Sequence, residues 1–113
     1  MAQHCMTPSP DVEAEFTLLT AEQGGRRSAP VLSGYRPAHK VRDDYLTTGY
    51  HTYLDCDQVL PGQTARCSIE FLSPEAYPHS LWAGREIDVQ EGDRLIGRVR
   101  ITKIFNPLLE KHS

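Results

Sequence analysis

Apolar and polar residues alternate along most of this chain. In "DVEAEFTLL", residues 11–19, Val12, Ala14, Phe16 and Leu18 are separated by Glu13, Glu15 and Thr17. A period of two sends successive side chains to opposite faces of a pleated backbone, so the segment reads as a half-buried strand. "QTARCSIEFL", from Gln63, repeats the pattern most cleanly, with Ala65, Cys67, Ile69 and Phe71 on one face and Thr64, Arg66, Ser68 and Glu70 on the other. "RLIGRVRITKI", from Arg94, sets Leu95, Gly97, Val99 and Ile101 against Ile96, Arg98, Arg100 and Thr102. Its β-branched residues suit a pleated surface. Weaker strand signals lie in "HTYLDC" from His51, in "LWAGREIDV" from Leu81, and between Lys40 and Thr48.

Turn chemistry separates these runs. Pro61-Gly62 fits the centre of a type II turn, where proline fixes φ and glycine accepts positive φ. Gly92-Asp93 in "QEGDR" is a hairpin signal between two strands. Asn106-Pro107 closes the last strand. No segment longer than two turns carries apolar residues at helical spacing. The pattern predicts an all-β fold, a sandwich or a small barrel.

Length and composition narrow this further. One domain is expected from 113 residues, long enough to bury roughly two-thirds of its unfolded surface. Residues 1–10 are expected to form a flexible tail, 11–105 the folded domain, and 106–113 a C-terminal tail that frays. The N-terminus has no basic region followed by an apolar one, and no apolar run reaches membrane-spanning length. A cytoplasmic setting without membrane contact is expected, and the start at Met1 with a polar tail favours a stand-alone product. Net charge is −3, which argues against a dedicated nucleic-acid binder, and no DNA partner is expected.

Little in the chain points to chemistry. Cys5, Cys56 and Cys67 are odd in number, and no Cys-x-x-Cys occurs, so reduced thiols are expected, with a Cys56–Cys67 bridge as the alternative. His4, His39, His51, His79 and His112 show no metal-ligand spacing. A Cys56–His51 dyad is disfavoured, because residues five apart on a strand lie on opposite faces. No catalytic constellation, metal site or cofactor is expected. Phe16, Phe71 and Trp82 are expected to pack the core. Tyr45 and Tyr50 are candidate anchors for a protein interface.

Three ordered motifs carry more information: "GGRR…P…GYRP", then "LPGQTARCSIEFLSP", then "REIDVQEGDRLIGRVRITKI". Together they resemble the C-terminal domain, domain three, of bacterial translation elongation factor Tu. The matching positions are Gly24, Gly25, Arg26, Gly34, Tyr35, Arg36 and Pro37, then Leu60, Pro61 and Gly62, then Arg85, Glu91, Gly92, Arg94 and Gly97. The resemblance spans Asp11 to Ile104 and implies a small closed antiparallel β-barrel of about six strands. The chain departs from the family at Arg27, at Ala38 and His39, at Gly92-Asp93 and at Val99. In the full factor these positions face the GTPase domain or transfer RNA. The chain contains neither Gly-x-x-x-x-Gly-Lys-Ser/Thr nor Asn-Lys-x-Asp, so no GTP binding is expected.

The resemblance implies a non-enzymatic binding module. Its expected partner is a protein, a translation factor or a toxin, met through Gly24, Gly25, Tyr35, Arg36, Tyr45 and Tyr50. One form of this is an antagonist or immunity protein that mimics the elongation factor surface. The alternative is a transfer-RNA or other RNA stem held by Arg26, Arg27, Gly92, Arg94, Arg98 and Arg100, since arginine contacts phosphate oxygens bidentately. Arg36 has a structural reading beside its interface one: pairing with an acid to hold the long loop on the barrel.

Overall fold

A computed structural model of the chain describes residues 10–24 and 30–111. Eight strands are present among them: β1 (Val12–Leu18), β2 (Val31–Leu32), β3 (Ala38–Arg42), β4 (Tyr45–Tyr53), β5 (Gln58–Val59), β6 (Thr64–Phe71), β7 (Glu86–Glu91) and β8 (Arg94–Ile104). Six of them close an antiparallel barrel in the order β1-β6-β4-β3-β7-β8. The remaining two, β2 and β5, pair with each other. A closed six-stranded barrel leaves no open sheet edge.

Alternation builds the core as expected. Val12, Ala14, Phe16 and Leu18 of β1 point inward with Ala65, Cys67, Ile69 and Phe71 of β6 and Val99 and Ile101 of β8. The Pro61-Gly62 turn forms as its residues require: the Gln63 amide donates to the Leu60 carbonyl at 2.9 Å, and Gly62 sits at φ 89°. Gly92-Asp93 forms the tip of the β7–β8 hairpin, with Glu91 opposite Arg94.

Other expectations change. Arg98 and Arg100 were placed on one face with Ile96, yet Ile96 is buried. The cause is a bulge: Val89 opposes Gly97 and Gln90 opposes Leu95, so Ile96 is an extra residue and turns inward. The segment Lys40 to Thr48 is not one strand but a hairpin joining β3 to β4. Trp82 does not pack the core. It is 44% exposed and lies between the Arg85 guanidinium (5.1 Å) and the Lys111 ammonium (5.0 Å). Tyr77 takes the core position, fully buried, and its hydroxyl donates to the Leu72 carbonyl at 2.9 Å. The C-terminal segment, expected to fray, is docked up to Lys111. Leu109 is fully buried, and the Leu81 amide donates to its carbonyl at 2.9 Å.

The barrel closes weakly in one place. β3 and β7 share only two register pairs, Ala38–Gln90 and His39–Val89. Arg85 reinforces this seam by donating to the carbonyls of Val41 and Ser80, both at 2.6 Å.

Candidate docking face

Strand β4 reverses the usual polarity of the barrel, while its neighbour β3 keeps Val41 in the core and turns Lys40 and Arg42 outward. Along β4, the inward residues are Thr47, Gly49, His51 and Tyr53, while Leu46, Tyr50 and, just past the strand, Leu54 face outward. His39 of β3 also points inward and is fully buried. The adjacent β6 ends at Leu72, whose amide donates to the Thr48 carbonyl at 2.9 Å and whose side chain is 64% exposed. Strands normally turn their apolar side to the core, so Leu46, Tyr50 and Leu72 on the outer face make a candidate contact surface.

A shallow groove of about 290 Å³ crosses this wall, lined by Arg36, Thr48, Tyr50, Glu70, Phe71 and Leu72. Tyr50 pairs with Glu70 across the strands. The Arg36 guanidinium lies over the Tyr50 ring, 5.2 Å from its centre. Arg36 therefore does not play the acid-pairing role expected for it. Among the described residues, neither Arg36 nor Glu70 has an ion-pair partner. The groove thus offers an apolar centre with an unneutralised cation on one side and an unneutralised anion on the other.

Beneath it lies a hydrogen-bonded histidine pair. His39 Nε2 and His51 Nε2 are 2.9 Å apart, His39 Nδ1 is 3.1 Å from the Pro37 carbonyl, and His51 Nδ1 is 3.0 Å from the Tyr53 hydroxyl. Only one proton order satisfies all three contacts with neutral rings. A carbonyl only accepts, so His39 donates from Nδ1 and accepts at Nε2. His51 then donates from Nε2, and its Nδ1 accepts from Tyr53. Burial pushes His39 down to about 4, against the weaker opposing effect of backbone hydrogen bonds. His51 is also lowered well below 6.5, by burial first and then by its neighbour His39. The pair requires a glycine opposite it. A Cβ on Gly49 would fall 2.6 Å from His39 Cε1 and 2.8 Å from Nδ1.

The residues carrying the family resemblance hold architecture. The Tyr35 hydroxyl donates to the Glu91 carboxylate, tying the loop to the β7–β8 hairpin. The Tyr35 ring meets His51 edge-on with centroids 5.8 Å apart. Gly24 ends a 3-10 turn at Ala21–Gln23, capped by Thr20; it is exposed and does not line the groove. Tyr50 lies in the groove, whereas Tyr45 packs its ring 5.5 Å from that of Tyr77. Gly25, Arg26 and Arg27 lie outside the described residues.

Of the arginines proposed for RNA, Arg94, Arg98 and Arg100 are described; they lie on β8, and acids accompany them. Arg98 bonds Asp88 at 3.1 Å, and Arg100 bonds Glu15 at 3.4 Å. Arg94 faces Glu91 across the hairpin, where Gly92 is exposed. A groove of about 360 Å³ runs over Arg98 and Arg100 but is also lined by Glu15 and Glu86. Cys56 and Cys67 are both free thiols, the first exposed and the second buried. His51 is sealed in the core while Cys56 is on the surface, so they form no dyad.

Sequence reasoning missed the histidine pair, Leu46 and Leu72. The signal in "YLTTGYHTYL" is mixed: Leu46, Tyr50 and Leu54 share one parity with Thr48 and Thr52, and Thr47, Gly49 and His51 share the other with Tyr45 and Tyr53. Nothing in the sequence says which parity points inward. Among the described residues, no group of three or more His, Cys, Asp or Glu is placed to hold a metal ion, and no helix is long and apolar enough to cross a membrane. No protein-family model matches the chain.

Proposed function

We propose that this chain is a non-enzymatic binding module of the elongation factor Tu domain-three type, and that it docks a translation-related protein through the β3–β4–β6 face. The closed six-stranded antiparallel barrel is compatible with that type, and the ordered motifs of the sequence supply the specific likeness. The observation that carries the docking reading is the reversed wall: Leu46, Tyr50 and Leu72 exposed around a groove flanked by unpaired Arg36 and Glu70. Aromatic and arginine side chains at the centre of an apolar patch are the usual anchors of protein interfaces. The matching partner surface carries an apolar side chain for the Tyr50–Leu72 groove and a carboxylate within reach of Arg36.

Protein docking is better supported than RNA binding. Arg98 and Arg100 already contact carboxylates, so phosphate oxygens would have to displace them. The test is affinity capture from RNase-treated lysate with three baits. The wild-type chain and an Arg98→Glu/Arg100→Glu variant should retain the same translation-related protein, and Leu72→Asp should lose it. A partner retained by Leu72→Asp, or one recovered only without RNase, would defeat the reading.

A further inference from the structure

The histidine pair lies directly under the proposed docking face, and one short segment joins the two. Residues 33–37 run along β4 before β3 begins. The Gly34 amide donates to the His51 carbonyl at 2.8 Å, the His51 amide to Tyr35 at 2.9 Å, and the Gly49 amide to Pro37 at 3.1 Å. Within this segment, Tyr35 and Arg36 face opposite ways. Tyr35 abuts His51 inside the barrel, while Arg36 covers Tyr50 outside it. The Pro37 carbonyl is the acceptor at the end of the histidine chain. We propose that the His39–His51 pair is a proton-operated latch for the docking face, which closes segment 33–37 when both rings are neutral and releases it when the pair takes up a proton. The proposal concerns the regulation of the face and therefore rests on the docking reading.

The geometry gives the latch its sign. With both rings neutral, every ring nitrogen has one partner. A proton added at His39 Nε2 sets two N–H donors against each other across 2.9 Å, with no acceptor between them. A proton added at His51 Nδ1 instead turns the Tyr53 hydroxyl from donor to acceptor and leaves a cation in the core. Either charge requires water, since a buried charge without a counter-charge is costly. Several groups face the pair. Tyr53 comes from β4, and Tyr35, bonded to Glu91 of the β7–β8 hairpin, comes from the segment itself. Cys67 of β6 stands opposite Tyr53. Phe16 of β1 and Phe71 of β6 present rings, and Val89 of β7 is apolar. Neither imidazole has an ion pair with a carboxylate among the described residues, so nothing there compensates an added proton.

Segment 33–37 leads into the strand that closes the barrel with the fewest pairs. It precedes the shortest seam, the two-pair β3–β7 contact, whereas β1 and β8 are paired along the full length of β1. Opening it removes Arg36 from Tyr50 and takes away one side of the groove.

The latch is tested without any partner, by amide hydrogen exchange from pH 7.5 down to pH 4.5, corrected for intrinsic rates. Protection at Gly34, Gly49 and His51 should fall about tenfold per pH unit below about pH 6, the slope of one coupled proton. Leu19 and Gly84, whose amides bond Ile96 and Ile101 at 2.9 and 2.7 Å, should stay more strongly protected than these three throughout the range, because only global unfolding exposes them. His39→Gln, which removes one titrating ring, should flatten the slope. If that variant does not fold, nitrogen chemical shifts of the wild-type imidazoles give a second measurement, with His39 expected as the Nδ1–H tautomer at neutral pH. The latch is overturned by a flat profile, by protection at Gly34, Gly49 and His51 as high as at Leu19 and Gly84, by an unchanged slope in His39→Gln, or by imidazoles that titrate near 6.5 while protection persists. These results leave the docking reading to stand or fall on the capture experiment.

Discussion

The β1–β8 wall and the β3–β4 wall of this barrel solve the same packing problem with opposite polarity. In the first, Val12, Ala14, Phe16, Val99 and Ile101 fill the interior, and Glu13, Glu15, Arg98 and Arg100 face water. Its outer charges neutralise one another, as in Arg100–Glu15 and Arg98–Asp88. In the second, His39, Thr47, His51 and Tyr53 face inward, and Leu46 and Tyr50 face out. The first wall exposes no large apolar side chain from β1 or β8. The second carries apolar surface that water does not favour and interior polar groups that only a fixed chain of hydrogen bonds satisfies. The first wall has the more apolar interior, and the second carries the face we propose for recognition.

The comparison breaks most visibly at Phe16. Its ring packs edge-on to His51 at 4.9 Å and sits against Gly97. Phe16→Ala should cost about 3–5 kcal/mol in denaturant unfolding, the usual range for deleting a buried ring, and a loss under 1 kcal/mol would mean the first wall is not the stabilising one. The second effect is pH dependence. His39 is lowered from 6.5 to about 4 in the folded chain, so the unfolded chain binds its proton more tightly. Stability is therefore complete above about pH 6.5 and declines as pH falls toward 4. A shift of this size corresponds to a loss on the order of 3 kcal/mol. Unfolding curves recorded across this window should show the decline, and His39→Gln should reduce it.

Gly49→Ala should come next, at about 1–3 kcal/mol, the cost of inserting a methyl group into a packed site. Because the new Cβ would press on the His39 ring, the loss should be accompanied by disturbed imidazole resonances, which heteronuclear spectra would reveal. The smallest effect belongs to the outer charges of the first wall. Arg100→Ala removes an exposed pair with Glu15 and should change stability by about 0–1 kcal/mol. Melting curves indistinguishable from wild type would fit this, while a large loss would place stabilising weight on the outer charges.

The two walls also differed in how legible they were. β1, β6 and most of β8 could be read from alternation because their apolar parity is the buried one. The Pro61-Gly62 and Gly92-Asp93 turns followed from residues that only certain backbone conformations suit. β4 gave a weak signal because Leu46 and Tyr50 sit on its outside, and β3 because Val41 is the one large apolar residue in a short strand. Periodicity reports that two faces differ, but not which one meets the core. Ile96 was misplaced for a related reason: a bulge adds one residue and reverses the parity beyond it. Trp82 was expected in the core with Phe16 and Phe71, yet a ring with two cations close to it can remain at the surface. The His39–His51 contact joins residues from different strands, and only the strand register brings them together.

The central claim is that the reversed wall is the recognition surface. Site-specific photocrosslinking tests it most directly, with a benzophenone amino acid placed at Leu72 in one protein and at Arg100 in another. After irradiation in living cells, the account predicts a discrete covalent adduct to a translation-related protein from position 72 and none from position 100. An adduct to that protein from position 100 alone, or to RNA at either position, would contradict it.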